Sequence, residues 1–594
     1  MLLIKKNILM KFLGNVIATV IGIFVFIMLF FFGVILIGAI FGGDDTVSVK
    51  KDSVIELNLK EIKNDYAGKY KDPWVTVFSE QKGIGITDVI NAIEAAKTDD
   101  KIKGISILND ESSLGLAQYK DLRNALESFK KSGKFVWAYA NAYSQKEYYL
   151  NSVANTVYLN PAGELDFKGL SSEVMFFKDF QDKSGIHMEV IRHGKYKSAV
   201  EPFLENKMSD ANREQITALL NSIWATVSAD ISKSRNIPLP RLNEIANGLL
   251  ARTPELAKAN GLVDIIAYED VYHNAIKKQL KVTGDEDYNK ISIEDYTQNN
   301  VTTALTNTAT DEIAIIYAQG EIESGEGDVT IIGEGSMRRA LQEARKDEDV
   351  KAIVLRIDSP GGSALTSDLI WREIEVTKKV KPVVVSMGNY AASGGYYIAC
   401  NADKIFAESN TITGSIGVFG ILPNFSPLAN KLGINTEQVK THENSANYSP
   451  FVPVDEKFKA FTLEGVEHIY KTFVTHVAEG RKMTFAQVDS IAQGRVWSGS
   501  QALKIGLVDK IGGLNDAISE AAKIAKIKTY STQNYPEYEK TFGDLISKMP
   551  FGKSKEAFIK EEIGEENYLM IEQIKKLQKQ KGVQAMMPFG INIK

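Results

Sequence analysis

Hydrophobic and polar positions along this chain fall into a pattern that is written twice. In the first half, Ser53-Val-Ile-Glu-Leu-Asn-Leu59 alternates with the two-residue period of a strand, and Val89 to Ala96 has helical spacing. Lys103-Gly-Ile-Ser-Ile-Leu108 is strand-like, Tyr119 to Phe129 helical, and Phe135-Val-Trp-Ala-Tyr139 strand-like again. The second half replays this order. Glu312 to Tyr317, Ala352 to Ile357 and Pro382 to Ser386 predict strands, and Gly335 to Lys346 predicts a helix. Such alternation predicts parallel sheets with right-handed crossovers, an α/β architecture. Each half then turns mainly helical and closes on a near-identical ending, Asn260-Gly-Leu-Val-Asp264 and Ile505-Gly-Leu-Val-Asp509.

An offset of 248 positions aligns the halves and exposes reciprocal losses. Tyr139-Ala-Asn-Ala-Tyr-Ser-Gln-Lys-Glu-Tyr-Tyr149 falls against Met387-Gly-Asn-Tyr-Ala-Ala-Ser-Gly-Gly-Tyr-Tyr397. Asn141 faces Asn389 and the tyrosine pairs coincide, but Gln145 faces Ser393. The same offset sets Lys197 against Ser445. One half keeps a serine among small residues and the other keeps a lysine. Serine needs a base to become a nucleophile, and lysine can serve, so the pattern predicts one composite site drawn from both repeats.

Two glycine motifs bear on that chemistry. Ala391-Ala-Ser-Gly-Gly395 follows a predicted buried strand, where small residues permit a sharp turn and close backbone approach. Asp358-Ser-Pro-Gly-Gly362 follows another strand; the same letters also make an ordinary turn. Backbone N–H groups of Gly361 and Gly394 are the candidate oxyanion donors, each such donor being worth ~3 kcal/mol. The first half has Asp110-Glu-Ser-Ser113 there, with no glycine pair. Lys197 must be partly neutral to act as a base, which burial against apolar walls would favour; its neighbour Lys195 is expected on the surface. The six histidines have no His-x-x-x-His spacing, which argues against a zinc protease. His193 and His442 remain open as partners in a Ser-His-Asp arrangement.

Charge and composition narrow the classes further. A net charge of −5 gives no basic footprint for nucleic acid, and the lone Cys400 leaves neither a disulfide framework nor a multi-cysteine metal site. No cofactor is expected. Val16 to Phe41 is apolar apart from Thr19, long enough at ~1.5 Å per residue to span a ~30 Å bilayer core. Lys5, Lys6 and Lys11 precede it, predicting a cytoplasmic N-terminus and an uncleaved single-pass anchor with the remainder on the far side. The expected organisation is residues 1–15 cytoplasmic, 16–41 anchor, 46–296 first repeat, 297–310 polar linker, 311–530 second repeat and 531–594 an extension. Within the extension, Glu556 to Lys579 has charged helical spacing.

Tyr196-Lys-Ser-Ala-Val-Glu-Pro-Phe203, Asp358-Ser-Pro-Gly-Gly362, Tyr390-Ala-Ala-Ser-Gly-Gly-Tyr396, Thr413-Gly-Ser-Ile-Gly417 and Gly494-Arg-Val-Trp-Ser-Gly499 together resemble signal peptide peptidase A, in the long tandem form also called protease IV. The resemblance spans roughly residues 50 to 530. It implies tandem Clp-protease/crotonase-like repeats and a Ser-Lys dyad that cuts peptide bonds. Ser393 would then be the nucleophile, Lys197 the general base and Ser415 a hydroxyl that orients the lysine. It also implies a homo-tetrameric bowl on the outer face of the cytoplasmic membrane, acting on signal peptides left in the lipid. Two other classes fit parts of the pattern. A crotonase-like acyl-CoA enzyme would use the glycine loops but not Lys197, and a silent oligomeric scaffold would use neither.

Overall fold

In the computed structural model the described residues are 48–60, 62–71, 84–108, 112–284, 286–304, 309–445, 448–539 and 584–586, with helical positions 15, 17–26, 28–30 and 33 near the start. The rest of the expected anchor, Val16–Phe41, lies outside the described residues, as does the expected helical stretch Glu556–Lys579. Among the described residues no helix is long and apolar enough to cross a membrane. Residues 1–49 and 50–594 form two separate units, and the sheets belong to the second.

Each repeat is built on its own parallel sheet. In the first, the strand order is Ile265–Ile266, Thr156–Leu159, Phe135–Ala140, Ile102–Leu108, Ser53–Leu57 and Lys290–Ser292. In the second, Ile412–Gly414, Val383–Ala392, Val350–Ser359, Glu312–Gln319 and Ser531–Tyr535 run parallel in that order, with Val496–Ser498 antiparallel at one edge. Lys404–Ala407 also pairs with the Val383 strand. Alternate residues of these β-branched strands feed two cores, as a period of two requires. Ile316, Leu355 and Val385 join one core, while Ile315, Val354 and Val384 join the other beneath the helix Leu514–Ala525.

The repeat is exact enough to be seen element by element. Helices Leu116–Lys130 and Ala364–Lys378 are both 15 residues long, and Asp210–Arg235 and Glu456–Arg481 are both 26. The shared endings have a physical role. Asp264 accepts from the Val157 N–H and pairs with Arg235; Asp509 accepts from the Ile405 N–H and pairs with Arg481. Each ending therefore clamps the long helix of its repeat to an edge of the sheet. The polar stretch read as a linker from residue 297 is helical at first: Ile293–Ala304 forms a helix because Ile293, Tyr296 and Thr297 are buried.

A seven-stranded sheet joins the halves. Its order is Gly327–Asp328, Ile331–Gly333, Glu321–Glu323, Gly361–Ser363, Gln584–Met586, Val418–Asn424 and His187–His193. Only the last comes from the first repeat, and it pairs antiparallel with Val418–Asn424 along its whole length, from His187 opposite Asn424 to His193 opposite Val418. A buried polar centre adds a second joint. Arg356 of the second half pairs with Asp65 at 2.6 Å and Asp121 at 3.2 Å, both from the first. Asn389 adds a third by accepting from the N–H groups of Ala117 and Gln118, at the start of the first-half helix.

Candidate active site

Two strand ends deliver the predicted pair to one point. The Val383–Ala392 strand stops at Ala392, and Ser393 takes φ 55° and ψ −113° before the helix Gly394–Ala399 begins. A non-glycine residue at positive φ costs on the order of 1–3 kcal/mol and persists only when its surroundings fix it. Here the Ser393 N–H donates to the Gly414 carbonyl at 2.8 Å. The tyrosine pair anchors the helix beyond, Tyr396 donating to the Leu507 carbonyl and Tyr397 to Asp368. The result is a serine projected from a strained turn, completely buried.

Lys197 arrives from the other half, a few residues past the end of the His187–His193 strand. Its segment is laced to the second repeat. The Tyr196 N–H donates to the Gln493 carbonyl, and the Val496 N–H donates to Gln215, which itself donates to the Tyr196 carbonyl and Ser198 Oγ. Gly494, at φ +82°, lies directly against it: a Cβ there would stand 2.6 Å from Lys197 Cβ. Lys197 Nζ reaches 2.9 Å from Ser393 Oγ and 3.1 Å from both the carbonyl and the hydroxyl oxygen of Ser415. Ser393 Oγ also lies 3.4 Å from the Gly417 carbonyl, and Ser415 Oγ is 3.4 Å from that of Gly494.

Electrostatics follow from this enclosure. Lys197 is fully buried, and burial pushes its amine well below the usual lysine range. Its polar partners are hydroxyls and a carbonyl, with the Phe419 ring 5.8 Å from Nζ. A neutral amine in hydrogen-bond reach of a serine hydroxyl can take its proton, which is the chemical capacity this geometry supplies.

The remaining candidates sort as follows. Gly394 opens the helix after Ser393, and the Gly361–Ser363 strand runs beside it: a Cβ on Gly361, which has φ +104°, would stand 2.8 Å from the Gly394 N. The Gly361 N–H itself donates to Ser359 Oγ at 3.2 Å, so that donor is engaged within its own loop in this state. Asp358 accepts from Asn389 Nδ2 and the Tyr390 N–H; burial, with Asp65 nearby, pushes its carboxyl up to about 7. Neither open histidine is among the hydrogen-bond partners of Ser393. The His193 ring lies 4.0 Å from that of Tyr470 at a tilt of 32°, and His442 sits in an exposed loop hydrogen-bonded to Ser445. Lys195 is exposed, as expected. In the first half, Gln145 stands where Ser393 does and spends its amide on local bonds: Oε1 accepts from the Lys168 and Gly169 N–H groups, and Nε2 donates to the Gly169 carbonyl. Gly417 and Gly494 had no role assigned from sequence, although both end or begin motifs already singled out there.

A buried serine and a buried lysine thus meet where two homologous α/β halves join. The sequence pattern of peptidase family S49 matches twice, over residues 128–283 and 375–528, and the chain belongs to that family. It is 37% identical to Protease 4 of Haemophilus influenzae over 81% of each chain. It is 32% identical to the chloroplastic serine protease SPPA of Arabidopsis thaliana, over 81% of this chain and 70% of that one. Over a third of its length it is 38% identical to a putative signal peptide peptidase SppA of Enterococcus faecium, covering 57% of that protein. The resemblance to signal peptide peptidase A in its long form holds, and family membership favours a peptidase over the acyl-CoA and scaffold readings.

Proposed function

We propose that the protein is a membrane-anchored endopeptidase that uses Ser393 and Lys197 as a catalytic dyad to degrade cleaved signal peptides and similar apolar peptides. The observation that carries this reading is the 2.9 Å separation of Lys197 Nζ and Ser393 Oγ, both buried and drawn from different halves. Ser393 Oγ attacks the scissile carbonyl carbon as its proton passes to the neutral Lys197 amine. The tetrahedral oxyanion takes hydrogen bonds from the Gly394 N–H and, once Ser359 Oγ releases it, the Gly361 N–H. Collapse breaks the C–N bond, and Lys197 returns the proton to the departing amine. Water, with Lys197 again as base, then hydrolyses the acyl-enzyme. Ser415 positions the amine through its two 3.1 Å contacts.

The wider setting belongs to the same proposal: Clp-protease/crotonase-like repeats, a single anchor over Val16–Phe41 in the cytoplasmic membrane, the catalytic region on its outer side beside membrane lipid, and a homo-tetramer. The apolar run and its leading lysines support the anchor and orientation, and the printed name of the Enterococcus relative supports the substrate class. The test is hydrolysis of a leucine-rich apolar peptide by the detergent-solubilised protein beside Ser393→Ala and Lys197→Ala. Both variants are expected at background while folded, and wild-type kcat/KM is expected to rise with pH as Lys197 loses its proton. Activity retained in Lys197→Ala, or a flat rate from mildly acidic to alkaline pH, would sink the dyad.

A further inference from the structure

One strand of the joining sheet belongs to neither repeat. Gln584–Met586 lies between Gly361–Ser363 and Val418–Asn424, antiparallel to both, with Met586 opposite Gly361, Ala585 opposite Gly362, and Gln584 opposite Ser363 and Phe419. Its two flanking strands both start at the candidate site. Gly361 opens one, and Gly417, whose carbonyl lies 3.4 Å from Ser393 Oγ, immediately precedes the other. The Ala585 carbonyl oxygen sits against the two glycines that carry the oxyanion donors. A Cβ at Gly361 would collide with it, and one at Gly394 would stand 3.1 Å away.

This strand rests on Gly361-Gly362, which present bare backbone, so its pairing there is main chain to main chain. Gln584 and Ala585 are nonetheless buried, and the space between the flanking strands is one strand wide. An extended peptide added between two strand edges, with a carbonyl directed at oxyanion donors, is the pose in which a peptidase holds its substrate.

We propose that residues 584–586 are a built-in competitor for the peptide groove: the segment occupies the strand position a substrate takes beside Ser393, and a substrate must displace it. The proposal rests on the peptidase reading above. A tethered segment has an effective concentration of order 1 mM, so a strand with an intrinsic dissociation constant of roughly 0.1 mM raises the apparent KM about tenfold and leaves kcat alone. Proline at the middle position removes an N–H and fixes φ near −65°, which a strand paired on both sides does not tolerate.

The experiment compares wild type and Ala585→Pro in the full-length chain on a leucine-rich peptide. Hydrogen exchange of the 584–586 amides is then followed in Ser393→Ala, with and without saturating peptide. The expected result is a KM about tenfold lower in Ala585→Pro at unchanged kcat, with amides that are protected in Ser393→Ala and lose protection when peptide is added. An unchanged KM, a fall in kcat, amides that exchange freely without peptide, or protection indifferent to peptide each overturns it. If wild type cleaves no peptide at all, the peptidase reading fails. Exchange in Ser393→Ala then still decides whether the segment sits in a groove from which peptide displaces it.

Discussion

Replacing Lys197 by Met separates chemistry from stability at a single side chain. The two side chains have similar length and volume, so the site keeps its packing while losing the amine. On one side of the balance, three contacts at 2.9–3.1 Å disappear, each worth a net ~0.5–1.5 kcal/mol. Ser393 Oγ and Ser415 Oγ keep carbonyls at 3.4 Å, whereas the Ser415 carbonyl loses the amine that donated to it. On the other side, an amine held in a buried site without a partner carboxylate no longer has to be desolvated, a gain of similar size. The decisive quantity is therefore how the difference depends on pH. The folded state holds Lys197 with a lowered pKa, so between that value and ~10.4 the unfolded chain binds one more proton than the folded one. Wild-type stability then rises with pH across this window, by ~1.4 kcal/mol per pH unit, and Lys197→Met lacks that rise. Urea unfolding of both proteins at several pH values reads the difference directly, and peptide hydrolysis should fall at least ~1,000-fold in the variant. Parallel stability curves would mean that Lys197 keeps an ordinary pKa in the folded protein, and the argument for it as a neutral base would collapse.

Three further substitutions probe the supports of the site. Ser415→Ala removes one of the two oxygens holding Lys197 Nζ and should lower kcat about tenfold with KM unchanged; steady-state kinetics showing a pure KM effect would move Ser415 to substrate binding. Gly494→Ala forces a Cβ to 2.6 Å from Lys197 Cβ at φ +82°, so the lysine backbone must retreat and kcat/KM should drop about 100-fold; full activity would show that the approach is not needed. Arg356→Met strands Asp65 and Asp121 in the joint and should cost ~3–5 kcal/mol near neutral pH. Burial already raises the Asp121 carboxyl against the pull of Arg356; without the guanidinium it rises further, and the variant's stability falls as pH rises through that range. The loss should therefore shrink at about pH 5, and a loss equal at both pH values in urea unfolding would contradict the charge argument.

Much of this was readable from the sequence because each repeat reports on the other. The 248-position offset alone set Gln145 against Ser393 and Lys197 against Ser445, and the strands it aligned lie at equivalent places in their sheets. What the sequence could not convey was tertiary. Nothing local marks Lys197 as fully buried while Lys195 two positions away is exposed. Nor does anything in Gln-Ala-Met predict a strand, since its place depends on two glycines more than two hundred residues away. The polar composition from residue 297 hid a helix because burial of Tyr296 and Thr297 outweighs the weak helix propensity of their neighbours. Gly494 stood in a motif already singled out, yet its reason, the close passage of the lysine backbone, is visible only when both halves are in place.

The reciprocal losses also have an energetic logic. In the half that carries Ser393 the strand-to-helix turn has positive φ at that serine, whose side chain makes no cap bond to the helix it precedes. In the other half the same turn has relaxed. Ser144 sits at φ −67°, accepts from the Glu147 N–H and receives the Glu147 carboxylate in return, so the helix Gln145–Asn151 begins with a reciprocal cap. Gln145 satisfies its own loop. If Ser393 is the nucleophile, as proposed, the half without it has no use for a strained turn, and a conventional cap is worth ~1 kcal/mol to it. Ser445 likewise lies in an exposed segment, with no buried amine to desolvate. A strained turn and a desolvated amine thus come together where Ser393 and Lys197 meet. A composite site of this kind works only if the halves dock in one register. The full-length pairing of the His187 and Val418 strands sets that register, and a one-residue slip would turn every side chain of the strand to the other face. The Arg356 centre reinforces it, because its two carboxylates are both within reach only at this alignment.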